Sequence, residues 1–406
     1  MPGTDRFRGR PRPNAAGAAA AVACAVALAT VVAQAQMTLP GGGTYGGDRL
    51  NSRVLESGER VTELIGNAYY RDDDVDATGR IGRWYGEQRL LEFVRDVLVV
   101  SDSLELRTDS LRVYPDTNVG FAYGAVRIET EDGSIGVGDR ARYVREAETL
   151  TLIGDARVID ETNVIEGDSI LIRREEATIE AWSRVKIVDE VNRSVVEGEH
   201  AFFDRNLGLA VVDSLPVLRS RRGSGPMTTV FSRWLAFDDS ADVSTAVGDV
   251  DFVQGDTRAH ADTARFYGED LLVMTGAPSV EQQRRVMTGE EIRFVYVEGE
   301  LERIDVYGQA SLVDSTPDTL GREFRGLPLA NTLSGDTLRV YVDDGDIVRT
   351  SVRGNAESVY LPDDQSTTIS VNDVRGRAID IFFEDNQVDR VQVSGEVDGI
   401  YRYLER

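Results

Sequence analysis

The chain has 406 residues, 41% of them hydrophobic and 28% charged, with a formal net charge of −25. This apolar content supports one large or two medium globular domains. The acidic excess excludes nucleic acid as a partner, because nothing would neutralise its phosphates. The single cysteine, Cys24, excludes a disulfide framework.

In chain order, the first feature reads as a secretory signal. Arg6, Arg8, Arg10 and Arg12 form a basic region, an Ala/Val-rich run extends from Ala15 to Ala33, and Ala33-Gln34-Ala35 fits the small-x-small cleavage rule. Cleavage near Ala35 is expected, and it removes four arginines and one aspartate, leaving a mature chain near −28. A retained N-terminal anchor is the alternative, since the apolar run is long. Acylation of Cys24 is another, although Ala21-Val22-Ala23-Cys24 is a poor lipoprotein box. No other apolar run approaches the length that spans a bilayer. Residues 36–60 read as an N-terminal linker.

From residue 61 onward the chain repeats. The seven residues Leu64-Ile65-Gly66-Asn67-Ala68-Tyr69-Tyr70 place a small residue inside an alternating run, where glycine costs stability. The pattern returns at Gly124, Gly154, Ser183, Ser214, Gly248, Gly276 and Gly308, and more loosely at Gly354 and Gly395. Asp96 fills the remaining slot, with Val94, Leu98 and Val100 in register. The period is close to thirty residues over most of the chain, which marks a repetitive architecture.

A second run alternates with the first. It takes the form small residue, acid, any, apolar, any, apolar, at Gly138-Asp139, Gly167-Asp168, Gly198-Glu199, Ala261-Asp262, Gly289-Glu290 and Gly335-Asp336. Thr108-Asp109 is a weaker member. Turn formers such as Glu131-Asp132-Gly133, Asp160-Glu161-Thr162-Asn163, Asp189-Glu190-Val191-Asn192 and Asp343-Asp344-Gly345 separate the runs. Each repeat is therefore two strands and two turns, the small residue marking a bend or a close approach. The acids read as turn caps rather than a calcium ladder. Leu90 to Val100 comes nearest to a helical period, but its phase favours strand.

The expected fold is all-β and elongated, with about eleven two-strand repeats. Alternation turns one stripe inward: Val126, Ile128, Tyr143, Leu152, Val158, Ile170, Ile172, Val185, Ile187, Phe203, Phe266 and Phe294. Small residues between the large ones, such as Ala141, Ala156, Ala201, Ala264 and Ala310, leave room for a ligand.

A signal sequence followed by paired strands of this form resembles the OstA-like family. The family includes the periplasmic lipopolysaccharide-transport protein A and the N-terminal domain of the outer-membrane lipopolysaccharide assembly protein. The resemblance is carried by Leu152-Ile153-Gly154-Asp155-Ala156-Arg157-Val158 with Glu166-Gly167-Asp168-Ser169-Ile170. A second set is Tyr123-Gly124-Ala125-Val126 with Val137-Gly138-Asp139-Arg140-Ala141-Arg142-Tyr143. It is best from about 61 to 313.

What the resemblance implies is a twisted β-jelly roll whose apolar interior, the stripe above, holds acyl chains of lipopolysaccharide or a related glycolipid. It further implies a periplasmic bridge that pairs by edge strands with other OstA-like domains, among them inner-membrane transporter and outer-membrane assembly components. The chain has about twice the repeats of one bridge unit. A break at Arg219-Ser220-Arg221-Arg222-Gly223-Ser224-Gly225-Pro226 divides units 61–222 and 223–406, the second with an insertion at about 314–334. No long barrel strands follow, so the barrel-bearing assembly protein is not expected. The competing reading is a structural or adhesive β-solenoid with a dry core.

Enzymatic motifs are lacking. His200 and His260 fall in strand positions beside repeat acids and read as structural, and two scattered histidines cannot supply a typical zinc site. No nucleophile elbow, phosphate loop or cysteine/histidine cluster occurs, so no cofactor, metal or catalytic residue is expected. Arg71-Asp72-Asp73-Asp74-Val75-Asp76 begins like a calcium loop, but Ala77 stands in the glycine's place and Arg83 in that of the closing carboxylate. Trp182 is out of phase with the inward stripe and reads as a surface aromatic, whereas Trp84 and Trp234 suit core packing.

Overall fold

A computed structural model describes residues 44–405, apart from 72–74, 102–103, 115, 118, 132, 145, 160–162, 192, 222–225, 316–329, 361–367 and 385–386. The expected signal segment, Cys24 and residues 36–43 of the expected linker lie outside the described residues. So do Asp72–Asp74 of the calcium-like run, Asp160–Thr162, and the middle of the 314–334 insertion. The rest of the linker is not irregular chain: residues 44–46 and 49–54 are strand, because their backbone pairs with Arg60–Arg71. Among the described residues every regular element is a strand.

The described residues form two compact units, one running to Pro216 and including Ala236–Ala241, the other made of Val217–Leu235 and the residues from Asp242 onward. In unit 1, β1 (Thr44–Gly46) and β2 (Arg49–Val54) both pair with β3 (Arg60–Arg71). An antiparallel meander continues through β4 (Val75–Tyr85), β5 (Leu90–Ser101), β6 (Leu104–Tyr114), β7 (Val119–Thr130) and β8 (Ile135–Val144). It ends with β9 (Thr149–Ile159), β10 (Asn163–Arg173), β11 (Thr178–Asp189), β12 (Ser194–Asp204) and β13 (Leu209–Asp213).

Unit 2 opens with β14 (Val217–Arg221) and β15 (Met227–Phe231), which form a hairpin across the Arg219–Pro226 stretch. Strand β16 (Trp234–Asp238) is divided between the units. Then come β17 (Val243–Gln254), β18 (Thr257–Tyr267), β19 (Leu271–Thr275), β20 (Ser279–Gln282), β21 (Arg285–Thr288) and β22 (Glu291–Val297). The pairs β19/β20 and β21/β22 are each one interrupted strand: β18 pairs with β19 and β20, and β23 (Glu300–Ser315) with β21 and β22. The meander closes with β24 (Ala330–Asp343), β25 (Asp346–Tyr360), β26 (Thr368–Glu384), β27 (Gln387–Ser394) and β28 (Asp398–Glu405), the last two both on β26. Residues 314–315 and 330–334 of the expected insertion are therefore strand, in β23 and β24.

The recurrent small residue is explained by backbone conformation. Gly154 has φ +81° and Asp155 φ +40°. On β9 these two residues stand against the single Asp168 of β10: Ala156 pairs with Gly167, then Ile153 with Ser169. One extra residue on one strand is a β-bulge, which bends the strand. It also keeps the inward face inward on both sides of the bend, with Leu150 and Leu152 before it and Ala156 and Val158 after.

Two consecutive left-handed residues occur at all eleven repeats, six in unit 1 and five in unit 2. Glycine leads most pairs because it enters that region without a Cβ penalty. Ser183-Arg184, Ser214-Leu215 and Arg95-Asp96 manage without it.

One expected slot shifts. Arg95, not Asp96, takes the glycine place, so Val97 and Val99 face inward while Val100 is 40% exposed. The physical reason is the unbroken apolar run Val97–Val100, which contains no alternation to set the phase.

The acids of the second run sit over the bends. A Cβ built on Gly124, Gly154, Gly276, Gly308 or Gly354 would collide with Asp109, Asp139, Asp262, Glu290 or Asp336, and Asp48 covers Gly66. Arg233 and Arg377 take the acid's place at Gly248 and Gly395. The residue after the bend then changes sign to match. Asp168 accepts from Arg184 Nε at 2.7 Å, whereas Arg233 Nε donates to Asp249 at 3.1 Å, Arg377 pairs with Glu396 and Arg80 with Asp96.

Candidate functional site: the inward face

The alternation on each side of the bends builds continuous apolar rows across unit 1. One row runs Tyr143, Leu150, Ile172, Ile179 and Phe203, each paired with the next. A second runs Ala141, Leu152, Ile170, Ala181 and Ala201. Beyond the bends a third joins Ile128, Gly136, Val158, Ile165 and Ile187. A flat sheet would leave such a face wet, yet Ile170, Leu152 and Phe203 are 0% exposed. The strand halves before and after the bends therefore act as two facing walls with the rows between them.

Eleven of the twelve stripe residues lie in this buried class: Val126, Ile128, Tyr143, Leu152, Val158, Ile170, Ile172, Val185, Ile187 and Phe203 in unit 1, and Phe294 in unit 2. Phe266 is half-buried near the end of β18, in register with buried Leu272. The small residues offered as room for a ligand are themselves covered, with Ala201 and Ala310 fully buried.

Space is found elsewhere. A cavity of about 150 Å³ lies among β3, β4 and β5, bounded by Thr62, Leu64, Trp84, Leu91, Phe93 and Tyr70, with exposed Tyr45 also lining it. Trp84 thus lines a cavity, and Trp234 is exposed rather than core. Sequence reasoning missed this cavity. The signal was Gly82, which lines the cavity where the same place in other repeats holds Leu111, Ile170, Ile292 and Leu338.

The outward face is held by arginine–acid clusters. Glu92, its side chain 7% exposed, accepts from Arg112 Nε at 2.9 Å, Arg83 Nη1 at 3.2 Å and the Tyr85 hydroxyl at 3.2 Å, while Arg83 Nε also donates to Glu63 at 2.8 Å. Burial alone would raise the Glu92 pKa, but these donors outweigh it and hold the carboxyl below its ordinary range. Asp305 lies between Arg303 and Arg339, and Asp380 between Arg349 and Arg353.

His200 bridges three strands. Nδ1 lies 3.0 Å from Asp213 Oδ2, Nε2 lies 3.2 Å from Glu180 Oε1, and the Trp182 ring packs 6.0 Å away. Burial of the imidazole would lower its pKa, yet the two carboxylates outweigh that and raise it. Trp182 is half-buried on the same outward face. His260 is exposed beside Asp251 at 2.8 Å. Arg71 Nε donates to Asp76 at 2.8 Å, at the described ends of the calcium-like run. Among the described residues no group of histidine, cysteine or acids is placed to hold a metal ion.

Each unit also has a terminal edge. β1 and β2 pair only with β3, and β27 and β28 only with β26, among the described residues. These strands expose Leu50 and Val54 in unit 1, and Val391, Ile400 and Tyr401 in unit 2.

Residues 87–178, from the β4–β5 turn to the start of β11, match the family described as LptA/(LptD N-terminal domain) LPS transport protein. The OstA-like resemblance therefore holds across that stretch. Among solved structures the chain is similar to LptH, the LptA-homologous periplasmic component of the conserved lipopolysaccharide transport device from Pseudomonas aeruginosa. That match has 20% identity and a TM-score of 0.27, covering 28% of this chain and 93% of that one. No curated protein matches the chain in sequence.

Proposed function

We propose that this chain is a periplasmic lipid-binding bridge protein, carrying lipopolysaccharide or a related glycolipid toward the outer membrane. The acyl chains lie between the two walls of the folded-over sheet. The observation that carries this reading is a coincidence within residues 87–178: the family match falls on the same repeats that build the inward apolar rows.

Val126, Ile128, Tyr143, Leu152, Val158, Ile170 and Ile172 are the contact residues proposed in that stretch. Val185, Ile187, Phe203, Phe266 and Phe294 extend the same face. Because the rows pack closely, a chain enters by parting the walls, and it gains the apolar contacts that the walls give up. The strong negative charge suits recognition through acyl chains rather than through lipid phosphates. The role is transport rather than catalysis.

The free edges of β1–β2 and β27–β28 are the surfaces for pairing with other OstA-like domains, by strand addition in which main-chain hydrogen bonds supply the affinity. The expected secretory signal with cleavage near Ala35 suits the periplasmic location, and the two units are tandem OstA-like repeats.

A second reading, a structural or adhesive secreted β-solenoid with a dry core, is favoured by the complete burial of Ile170, Leu152 and Phe203. Gel filtration of the purified full chain with lipopolysaccharide decides between them. Lipid co-eluting with the protein supports carriage, and lipid remaining in its own aggregates supports the dry solenoid.

A further inference from the structure

We propose that the outer face of β6–β10, on the side of the sheet opposite the apolar rows, binds an acidic polysaccharide, a chain of sugar rings that bear carboxylates. The site shares no residue with the inward face, so it stands or falls separately from lipid carriage.

Three observations carry it. The first is charge. The chain has 70 acids against 45 arginines and lysines. Between the turns and the bends, however, the outward positions of β6–β10 include Arg112, Arg140, Arg142 and Arg173 and no acid. Glu92, the acceptor for Arg112, belongs to β5 and is sunk below it, its side chain 7% exposed. Arg140 and Arg142 are exposed and have no ion-pair partner among the described residues. On the other wall the same strands neutralise their arginines: Arg127 of β7 pairs with Glu129, and Arg157 of β9 with Glu166. A free guanidinium presents its N–H groups in the fork that fits a carboxylate.

The second observation is the aromatic residues set among these arginines. Phe121 stands in register between Arg112 and Arg142, and Tyr123 beside Arg140. Their rings lie 6.3 Å apart and within 18° of parallel, and Tyr114 meets Phe121 edge-on at 6.2 Å. Arg112 lies 5.8 Å over the Tyr123 ring. All three aromatics are half-buried, so part of each ring meets solvent. The negative face of an aromatic ring attracts the positively polarised C–H groups of a sugar ring. Arginine and aromatic side by side thus read both parts of an acidic sugar.

The third is what the surroundings disfavour. Each of β6–β10 is paired along both edges, so no main-chain groups are free to receive a peptide strand. Acids border the band on both sides, Glu146, Glu148, Glu175 and Glu176 at the turns and Asp109 and Asp139 at the bends. They repel a broad anionic surface such as a membrane. What remains is a narrow basic and aromatic band that crosses the strands, a shape that suits a chain.

The test measures fluorescence anisotropy of a fluorescein-labelled oligogalacturonate with the full chain, and of a labelled neutral dextran oligomer beside it. Saturable binding of the galacturonate and none of the dextran is expected. Arg140→Gln with Arg142→Gln should weaken it by roughly tenfold or more, since each loses a charged hydrogen bond. Phe121→Leu keeps an apolar side chain but removes the ring, and should weaken it several-fold; Tyr123→Leu serves the same purpose if Phe121→Leu fails to fold. Arg127→Gln with Arg157→Gln, on the opposite wall, should leave binding unchanged.

Absence of binding overturns the proposal, and so does an equal loss from the opposite-wall pair, which would mean that charge alone is read. Polyglutamate bound as tightly through Arg140 and Arg142 would replace the polysaccharide with an acidic peptide. Phosphatidylglycerol vesicles bound through the same two arginines would replace it with a membrane surface.

Discussion

Asp139 on β8 lies so close over Gly154 on β9 that a single added Cβ would collide with its carboxylate, and Gly154 holds φ +81°. Two constraints thus meet at one residue: the left-handed bend and the acid that covers it. The same arrangement recurs along both units, which is why glycine and acid keep step through the sequence.

Gly154→Ala is expected to lower stability by roughly 1–2 kcal/mol from the backbone alone, with an added cost from Asp139. Gly154→Ala combined with Asp139→Ala should lose less than the two separate losses added together, because the collision is gone. Urea unfolding midpoints of the four proteins check this, and strict additivity would contradict it.

The shifted slot gives a second expectation. Val99→Asp buries a carboxylate in the inward row and should be poorly folded, while Val100→Asp, at a 40% exposed position, should be tolerated. Thermal unfolding of the two variants compares them directly. If Val100→Asp were the damaging one, the phase read from Val94, Leu98 and Val100 would be right after all.

Glu92 makes the fold pH-dependent in a definite direction. Its pKa in the folded chain lies below the ordinary glutamate value, since Arg112, Arg83 and Tyr85 outweigh the cost of burial. Its contribution is therefore fully present above the unfolded-state pKa and is lost as pH falls through the lowered folded value. Glu92→Gln should lower the unfolding midpoint at neutral pH, with the gap to the parent chain closing on acidification. The loss is expected to be about 1–3 kcal/mol, the cost of leaving charged donors without their acceptor. A gap that widened on acidification would contradict the assignment.

His200 runs the other way. Its folded pKa is raised, so its stabilising effect is present below the unfolded pKa and disappears as pH rises through the folded value. An imidazole titration by NMR should place His200 above an ordinary histidine, and Asp213→Asn should bring it down. No change on Asp213→Asn would show that the 3.0 Å contact does not govern the ring.

Much of this was legible in the sequence because period-two alternation and a recurrent Gly-x pair are local signals. Gly154-Asp155 announced the bend, and the inward positions of Leu152, Ile170 and Phe203 followed from parity. The acid of Gly167-Asp168 does not cap a turn as expected: it lies mid-strand against the bulge of the neighbouring strand, where cross-strand pairing and not local sequence puts it. Arg95 was not legible, since four consecutive apolar residues hide the phase. Nor was the sign-matching of Arg233 with Asp249 or Asp168 with Arg184, which depends on pairing across strands 16 residues apart. The cavity at β3–β5 arises from what Gly82 leaves empty, and alternation records polarity rather than volume. Trp234 suited a core by type alone, which says nothing of its exposure.

Site-specific photo-crosslinking in cells tests the central claim most directly. A photoreactive residue would replace Ile170 in one protein, and Ser169 or Leu171 in others. A lipopolysaccharide adduct at Ile170 and not at its neighbours is the predicted result, since only Ile170 faces the space between the walls. A folded, exported protein with no adduct at Ile170 would contradict lipid carriage and leave a dry-cored β-solenoid.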